Sequence, residues 1–175
     1  MQTVIAKGTN EAGELRGLFE KQLREIYWAE GVMVAMLNGI IAQATSKDLV
    51  ALLQENVTDT KRHATRLEMV FNCIGIPVNA LNYEALECMI KEAESFIHGT
   101  RRGVVRDAGI IAVLQKIKHY EIACYGTMRA YAIALREEDV VVLLETTLEE
   151  EKVADLLLSN IAESHINTEA ADKEI

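Results

Sequence analysis

Ionisable side chains interrupt the apolar faces of four long segments of this 175-residue chain. Two of the interruptions are pairs spaced four residues apart, Asp59 with His63 and Glu151 with Asp155. Residues four apart lie on the same face of a helix, so each pair can direct its side chains to one place. The complete set of inward-facing candidates is Glu30, Asp59, His63, Glu121, Glu151 and Asp155.

Several carboxylates in one protein core need a positive partner, because a lone buried carboxylate is costly or takes up a proton. A metal ion is one such partner. Oxygen-rich ligand sets favour iron or manganese, and a mixed carboxylate and imidazole set also suits zinc. Bundle cores that hold two metal ions use carboxylates from all four helices together with histidines. One interpretation of the six residues is therefore a core that holds one or two metal ions, with iron as the first expectation and manganese or zinc as alternatives.

Lys118, three residues before Glu121, offers a second interpretation. Its ammonium group could pair with the buried carboxylates, and the chain would then be a metal-free structural or interaction protein that acts through a dimer surface. Some of the six residues could also lie at the edges of the apolar faces and reach water. Spacing alone leaves these interpretations open. Tyr125 is expected to be a packed core aromatic, His119 to lie on the surface, and Glu150 to belong to a solvated acidic face.

Apolar residues recur at intervals of three and four in five segments, which is the pattern of amphipathic helices. Ser46 is a predicted N-cap, and Gly75 and Pro77 are predicted to end the helix that Ser46 begins. The third segment is shorter than the other four. The predicted helices span about residues 14–44, 46–74, 83–98, 104–135 and 138–163.

Four long helices with a shorter one in the middle predict an all-α fold, a ferritin-like four-helix bundle. The shorter helix would lie in a long connection, which simple up-and-down bundles lack. The bundle domain is expected over residues 13–167. A flexible lead-in over residues 1–12 and a frayed C-terminal tail over residues 168–175 are expected to flank it.

The composition excludes some classes of binding partner and indicates the cellular compartment. Half of the residues are hydrophobic and the net charge is −9, so neither nucleic acid nor an anionic membrane is an expected partner. The N-terminus lacks the apolar segment of a signal peptide, and no apolar run reaches the length of a membrane span. Cys73, Cys88 and Cys124 fit no zinc or redox motif and are expected to be buried reduced thiols. These features predict a cytoplasmic protein.

Four stretches of the chain resemble the YciF/YciE family of bacterial ferritin-like proteins, within a similarity that covers about residues 15–163. The resemblance implies a bundle of long helices with an extra helix, usually dimeric, so a homodimer is expected. It also implies a stress-associated role without established biochemistry, and metal binding at the six candidates above. The stretches are Tyr27–Glu30, Asp59–Glu68, Gln115–Ala123 and Glu145–Asp155.

This chain departs from the family pattern at one candidate position and at one position beside the candidates. The family has Glu where this chain has Asp59, which shortens the reach of that carboxylate by one methylene. It also has Glu where this chain has Lys118, which places a positive charge beside the predicted site. The pairing of Glu and His three residues apart that is typical of ferritins is absent as well. No catalytic residue is assigned.

Overall fold

A computed structural model describes residues 14–172, and all regular structure in that range is helical. The all-α prediction is therefore confirmed. The predicted helix boundaries lie within a few residues of the observed ones. The helices are α1 (Leu15–Ile41), α2 (Lys47–Cys73), α3 (Glu84–Gly99), α4 (Val104–Ala134), α5 (Glu138–Ile161), a π-helical turn (Ala162–Ile166) and α6 (Asn167–Asp172).

The four long helices α1, α2, α4 and α5 form a bundle in which α1 and α5 each pack between α2 and α4. Contacts at the two ends of the bundle give the helix directions. Asp107 in the first turn of α4 binds Thr45, which lies between α1 and α2. Arg16 near the start of α1 pairs with Glu137 at the start of α5. Each long helix is therefore antiparallel to both of its neighbours, as in a ferritin-like bundle.

Helix α3 lies in the long connection that this topology requires. Because α2 and α4 run in the same direction, the chain must return along the whole bundle between them. Helix α3 makes this return on the outside of α4, with the Tyr83 ring stacked on Tyr120 at a centroid distance of 5.4 Å. Near its other end, Phe96 packs against Gly109. Only Leu86 and Ala93 of α3 are fully buried.

The ends of α2 follow the sequence signals. The Ser46 hydroxyl caps the helix by accepting a hydrogen bond from the backbone N–H of Leu49 at 3.4 Å. Asp107 of α4 reinforces this end by accepting from the backbone N–H groups of Thr45 at 2.9 Å and Ser46 at 2.8 Å. At the other end, Gly75 adopts a positive φ of 73°, which glycine accommodates without strain.

The C-terminal end contains part of the tail for which fraying is expected from residue 168. The chain remains helical through Asp172, because Ile166 is buried and Ala170 packs against the core. The predicted lead-in, residues 1–12, lies outside the described residues, as do residues 173–175 at the end of the predicted tail.

The cysteine prediction was wrong for two of the three thiols. Cys73 and Cys88 are exposed and Cys124 is partly buried. Cys73 lies on the exposed side of the last turn of α2, and Cys88 lies on the outer face of α3. Between residues 14 and 172, no helix is long and apolar enough to cross a membrane.

Candidate metal centre

Polar and charged side chains from all four long helices meet in the middle of the bundle. α1 contributes Glu30, α2 contributes His63, α4 contributes Lys118 and Glu121, and α5 contributes Glu151. Each of these residues is at most 2% exposed. Because they are buried, their charges must be balanced inside the protein.

Glu30, His63 and Glu151 form the tightest group. The Nδ1 atom of His63 lies 3.1 Å from Oε1 of Glu151 and 3.6 Å from Oε1 of Glu30. One ligand atom from each of the three residues lies within 4.8 Å of the other two. A single cation between these atoms could bind all three, so we call Glu30, His63 and Glu151 the triad.

Several buried atoms around the triad lack a hydrogen bond. Oε2 of Glu30 and Oε1 of Glu121 have no polar partner. Nδ1 of His63 and the two Glu151 oxygens also lack a well-aligned hydrogen bond, although Nδ1 lies 3.1 Å from Oε1 of Glu151 and Lys118 lies 2.6 Å from its Oε2. Buried polar groups are nearly always hydrogen-bonded, so a cluster of exceptions points to a missing ligand. Two carboxylates and one imidazole are a ligand set that suits divalent iron, manganese or zinc. The residues present therefore fit a metal ion.

Lys118 lies on the other side of Glu151. Its Nζ atom lies 2.6 Å from Oε2 of Glu151 and 3.0 Å from Oε2 of Glu121. Glu151 thus presents one oxygen to His63 and the other to Lys118. Glu121 joins the centre through Lys118 and not through the triad.

The charges of the centre are strongly coupled. Burial alone would lower the pKa of His63, but the Glu151 and Glu30 carboxylates raise it to about 10. Burial would raise the pKa of Glu151, but Lys118 and His63 lower it to about 2. Burial and the nearby Glu151 charge together raise the pKa of Glu121 well above its ordinary value. Without metal, the centre therefore holds a protonated histidine beside an ionised Glu151.

Glu150 and Arg66 support His63 from outside the core. The Nε2 atom of His63 lies 2.9 Å from Oε2 of Glu150. Arg66 donates to both Glu150 oxygens, at 2.9 and 3.2 Å, and to the Thr147 hydroxyl at 2.5 Å. When Nε2 donates to Glu150, Nδ1 is left to face the triad. Carboxylate partners of this kind fix the tautomer and orientation of metal-binding histidines.

Sequence reasoning missed Glu150, which was expected on a solvated acidic face. It is partly buried because its contacts come from α2 and not from its own helix. The available signal was Arg66, which follows His63 by three residues and therefore lies on the same side of α2.

Tyr125 packs in the core as predicted and is fully buried. Its hydroxyl also donates a hydrogen bond to Oε1 of Glu30 at 2.5 Å. The ring lies edge-on to His63 at a centroid distance of 6.3 Å. Burial and the Glu30 carboxylate raise the pKa of the Tyr125 phenol, so it remains a proton donor to Glu30.

The structure does not bring Asp59 and Asp155 into the triad. The Asp59 side chain is 22% exposed and pairs with Arg62 on its own helix at 2.7 Å. The Asp155 side chain is 19% exposed and lies 3.6 Å from His119, which is a surface histidine as predicted. An α-helix turns by about 100° per residue, so a residue four positions away is displaced by about 40°. This offset moves both aspartates toward the edge of the bundle.

The helix directions and the buried centre define a ferritin-like four-helix bundle with a carboxylate, histidine and lysine cluster in its core. Comparison with known proteins agrees with this class. Residues 14–171 match the family described as a domain of unknown function, DUF892. The chain belongs to this family of YciF-like proteins.

Two relatives illustrate the similarity. Protein YciF from Escherichia coli strain K12 is 31% identical over 160 residues, which cover 91% of this chain and 96% of YciF. The crystal structure of E. coli YciF, which is described as a stress protein, superimposes on this chain with a TM-score of 0.85. The match covers 89% of this chain and 98% of the YciF chain. The structure of YcfI from Rhodopseudomonas palustris is 36% identical, with a TM-score of 0.84, and covers 86% of this chain and 96% of its own.

Proposed function

We propose that the protein binds one divalent first-row metal ion in the bundle core, iron first and manganese or zinc as alternatives. The ligands are Glu30, Nδ1 of His63 and Glu151. The observation that carries the proposal is the approach of one ligand atom from each residue to within 4.8 Å of the others, in a fully buried place. Because E. coli YciF is described as a stress protein, we propose a stress-associated role for this chain too.

Glu150, Arg66 and Tyr125, which contact the triad or support it, would position the metal ligands. Glu150, held by Arg66, orients His63 so that Nδ1 faces the ion. Tyr125 holds the Glu30 carboxylate through its hydroxyl. His63 would have to give up its Nδ1 proton to bind an ion there, because a histidine ligand must be neutral. When bound, the ion supplies a Lewis acid or, as iron or manganese, a redox-active centre.

Metal analysis of purified protein tests the proposal. Protein stripped with a chelator is titrated with Fe²⁺, Mn²⁺ and Zn²⁺ by calorimetry, and bound metal is counted by elemental analysis after gel filtration. We expect one ion per chain, loss of binding in His63→Ala and Glu151→Gln, and unchanged binding in the controls His119→Ala and Glu149→Gln. His119 and Glu149 are exposed. The proposal is overturned if the wild-type protein binds none of the three metal ions.

A second candidate function is a metal-free structural or interaction protein, as the Lys118 contacts allow. Lys118 lies 2.6 Å from Glu151 and 3.0 Å from Glu121, and so balances part of the buried acid without any metal. This candidate expects no metal uptake by the wild-type protein. It also expects Lys118→Leu to destabilise the protein whether or not metal is present.

We also propose that the protein is a homodimer, as its family resemblance implies. Helix α5 carries apolar residues that are more than half exposed, namely Val142, Val153 and Leu156. Apolar residues on one exposed helix face are a common feature of subunit interfaces. Sedimentation velocity measures the oligomer directly, and a monomer at micromolar concentration contradicts the proposal.

For the compartment, we propose the cytoplasm. The support is that Cys73, Cys88 and Cys124 are all free thiols. Free thiols persist most readily in a reducing compartment. Cell fractionation followed by immunodetection tests this proposal.

A further inference from the structure

Next to the triad lies a buried positive charge that belongs to the protein itself, the ammonium group of Lys118. Its side chain is 3% exposed, so water does not solvate the charge. Its two close partners are oxygens of carboxylates on two different helices, Glu121 on α4 and Glu151 on α5. The ammonium group therefore lies where carboxylates from two helices approach each other.

Glu151 connects this place to the triad. Its Oε1 atom faces His63 at 3.1 Å and its Oε2 atom faces Lys118 at 2.6 Å. One carboxylate with two cationic partners, one at each oxygen, is the arrangement of a bridging ligand. In two-metal sites, ions about 3.5–4 Å apart share such ligands.

From this geometry we infer that Lys118 takes the place of a second metal ion and limits the centre to one ion. The inference rests on the proposed function, because it counts ions beside the one that the triad binds. A charged lysine has no lone pair to offer and repels a cation. Glu121 and Oε2 of Glu151 are ligands for a divalent ion only once the ammonium is gone.

Glu121 supplies independent support for a second position. Its Oε2 atom contacts Lys118, whereas its buried Oε1 atom has no hydrogen-bond partner. A metal ion in place of the ammonium could be bound by both oxygens of Glu121 together with Oε2 of Glu151.

Substitution of Lys118 tests the inference through metal stoichiometry. Lys118→Glu removes the ammonium and adds a carboxylate, and Lys118→Met removes only the charge at similar size. Lys116→Glu is the control, because Lys116 is exposed on the same helix. Each full-length protein is stripped of metal, checked for folding by circular dichroism, and titrated with Mn²⁺ and Zn²⁺.

We expect one ion per chain in the wild-type protein and in Lys116→Glu, and two in Lys118→Glu. Lys118→Met is expected to take up a second ion more weakly than the first, and it decides the question when Lys118→Glu does not fold. An anomalous-difference map of the two-ion variant should place the new ion where the ammonium lies.

The inference is overturned when the folded Lys118 variants still bind a single ion. Failure of the proposed function would give a different result in the metal titrations. In that case the wild-type protein binds no metal, or His63→Ala binds as much as the wild-type protein does.

Discussion

The Nε2 atom of His63 lies 2.9 Å from Oε2 of Glu150, while its Nδ1 atom faces the buried carboxylates. The two ring nitrogens therefore have separate partners, one at the edge of the bundle and one in the core. Because the ring is oriented before any cation arrives, little rearrangement is needed on binding. The contact with Glu150 is the part of this arrangement that can be changed without altering the triad.

Replacing Glu150 tests how much this orientation contributes. Glu150→Gln keeps the size of the side chain but removes the charge that holds His63 and Arg66. We expect metal affinity to fall about 10-fold to 100-fold, the usual effect of losing such a partner. Calorimetric titration with Zn²⁺ measures it. Glu149→Gln, on the exposed neighbour, should bind like the wild-type protein, and equal affinities of both variants would contradict the role of Glu150.

Metal-free protein should lose stability as the pH rises. The pKa of His63 is raised from 6.5 to about 10 by the Glu151 and Glu30 carboxylates, which outweigh the effect of burial. A raised pKa in the folded state stabilises the protein fully below pH 6.5, and the contribution is lost between about pH 6.5 and 10. The loss should be on the order of a few kcal/mol.

Urea denaturation with a chelator present, at several pH values between these limits, measures this loss. His63→Gln serves as the control because it removes the titrating group and leaves the other groups in place. The difference in unfolding free energy between the wild-type protein and this variant should shrink as the pH rises. A difference that stays constant across the range would show that His63 is not protonated in the folded protein.

Removing the Lys118 charge should destabilise the metal-free protein. Lys118→Met leaves Glu121 and Glu151 without their shared cation in a place that water does not reach. Breaking a buried ion pair by removing one partner costs about 3–5 kcal/mol, because the remaining charge is uncompensated. Thermal and urea denaturation measure the loss. Added Mn²⁺ should restore part of it in this variant, and Lys116→Met should be as stable as the wild-type protein.

Helical periodicity was sufficient to identify Glu30, His63, Glu121 and Glu151 as inward-facing residues. Each lies in register with leucines and isoleucines three or four positions away, and all four are buried. The long connection also followed from segment lengths, because a shorter helix among four long ones is typical of a return connection.

Periodicity could not decide which inward-facing residues touch each other. Asp59 and Asp155 share a helix side with His63 and Glu151 but lie toward the edge, where Arg62 and His119 reach them. Glu150 was missed for the opposite reason, because its partners lie on another helix. Such contacts depend on the rotation of one helix against the next, which a single helix pattern does not contain.

The packing of α3 on α4 leads to a prediction about stability at two glycines of α4 outside the metal centre. An added Cβ atom at Gly109 would overlap the Phe96 ring, whereas one at Gly126 on the same helix would meet no atom within 4 Å. Gly109→Ala should therefore push Phe96 away and destabilise the protein by about 1–3 kcal/mol, as overpacking does. Gly126→Ala should stabilise it by about 0.5–1 kcal/mol, since alanine is the better helix former.

Urea denaturation of both alanine variants measures these opposite effects, and hydrogen exchange locates them. In Gly109→Ala, exchange should increase in Glu84–Gly99, because α3 buries few residues and has little other packing to hold it. Metal stoichiometry should stay unchanged, since neither glycine touches the centre. A Gly109→Ala protein as stable as Gly126→Ala, with a protected α3, would mean that the Phe96 ring can move aside freely and that this contact does not hold α3 in place.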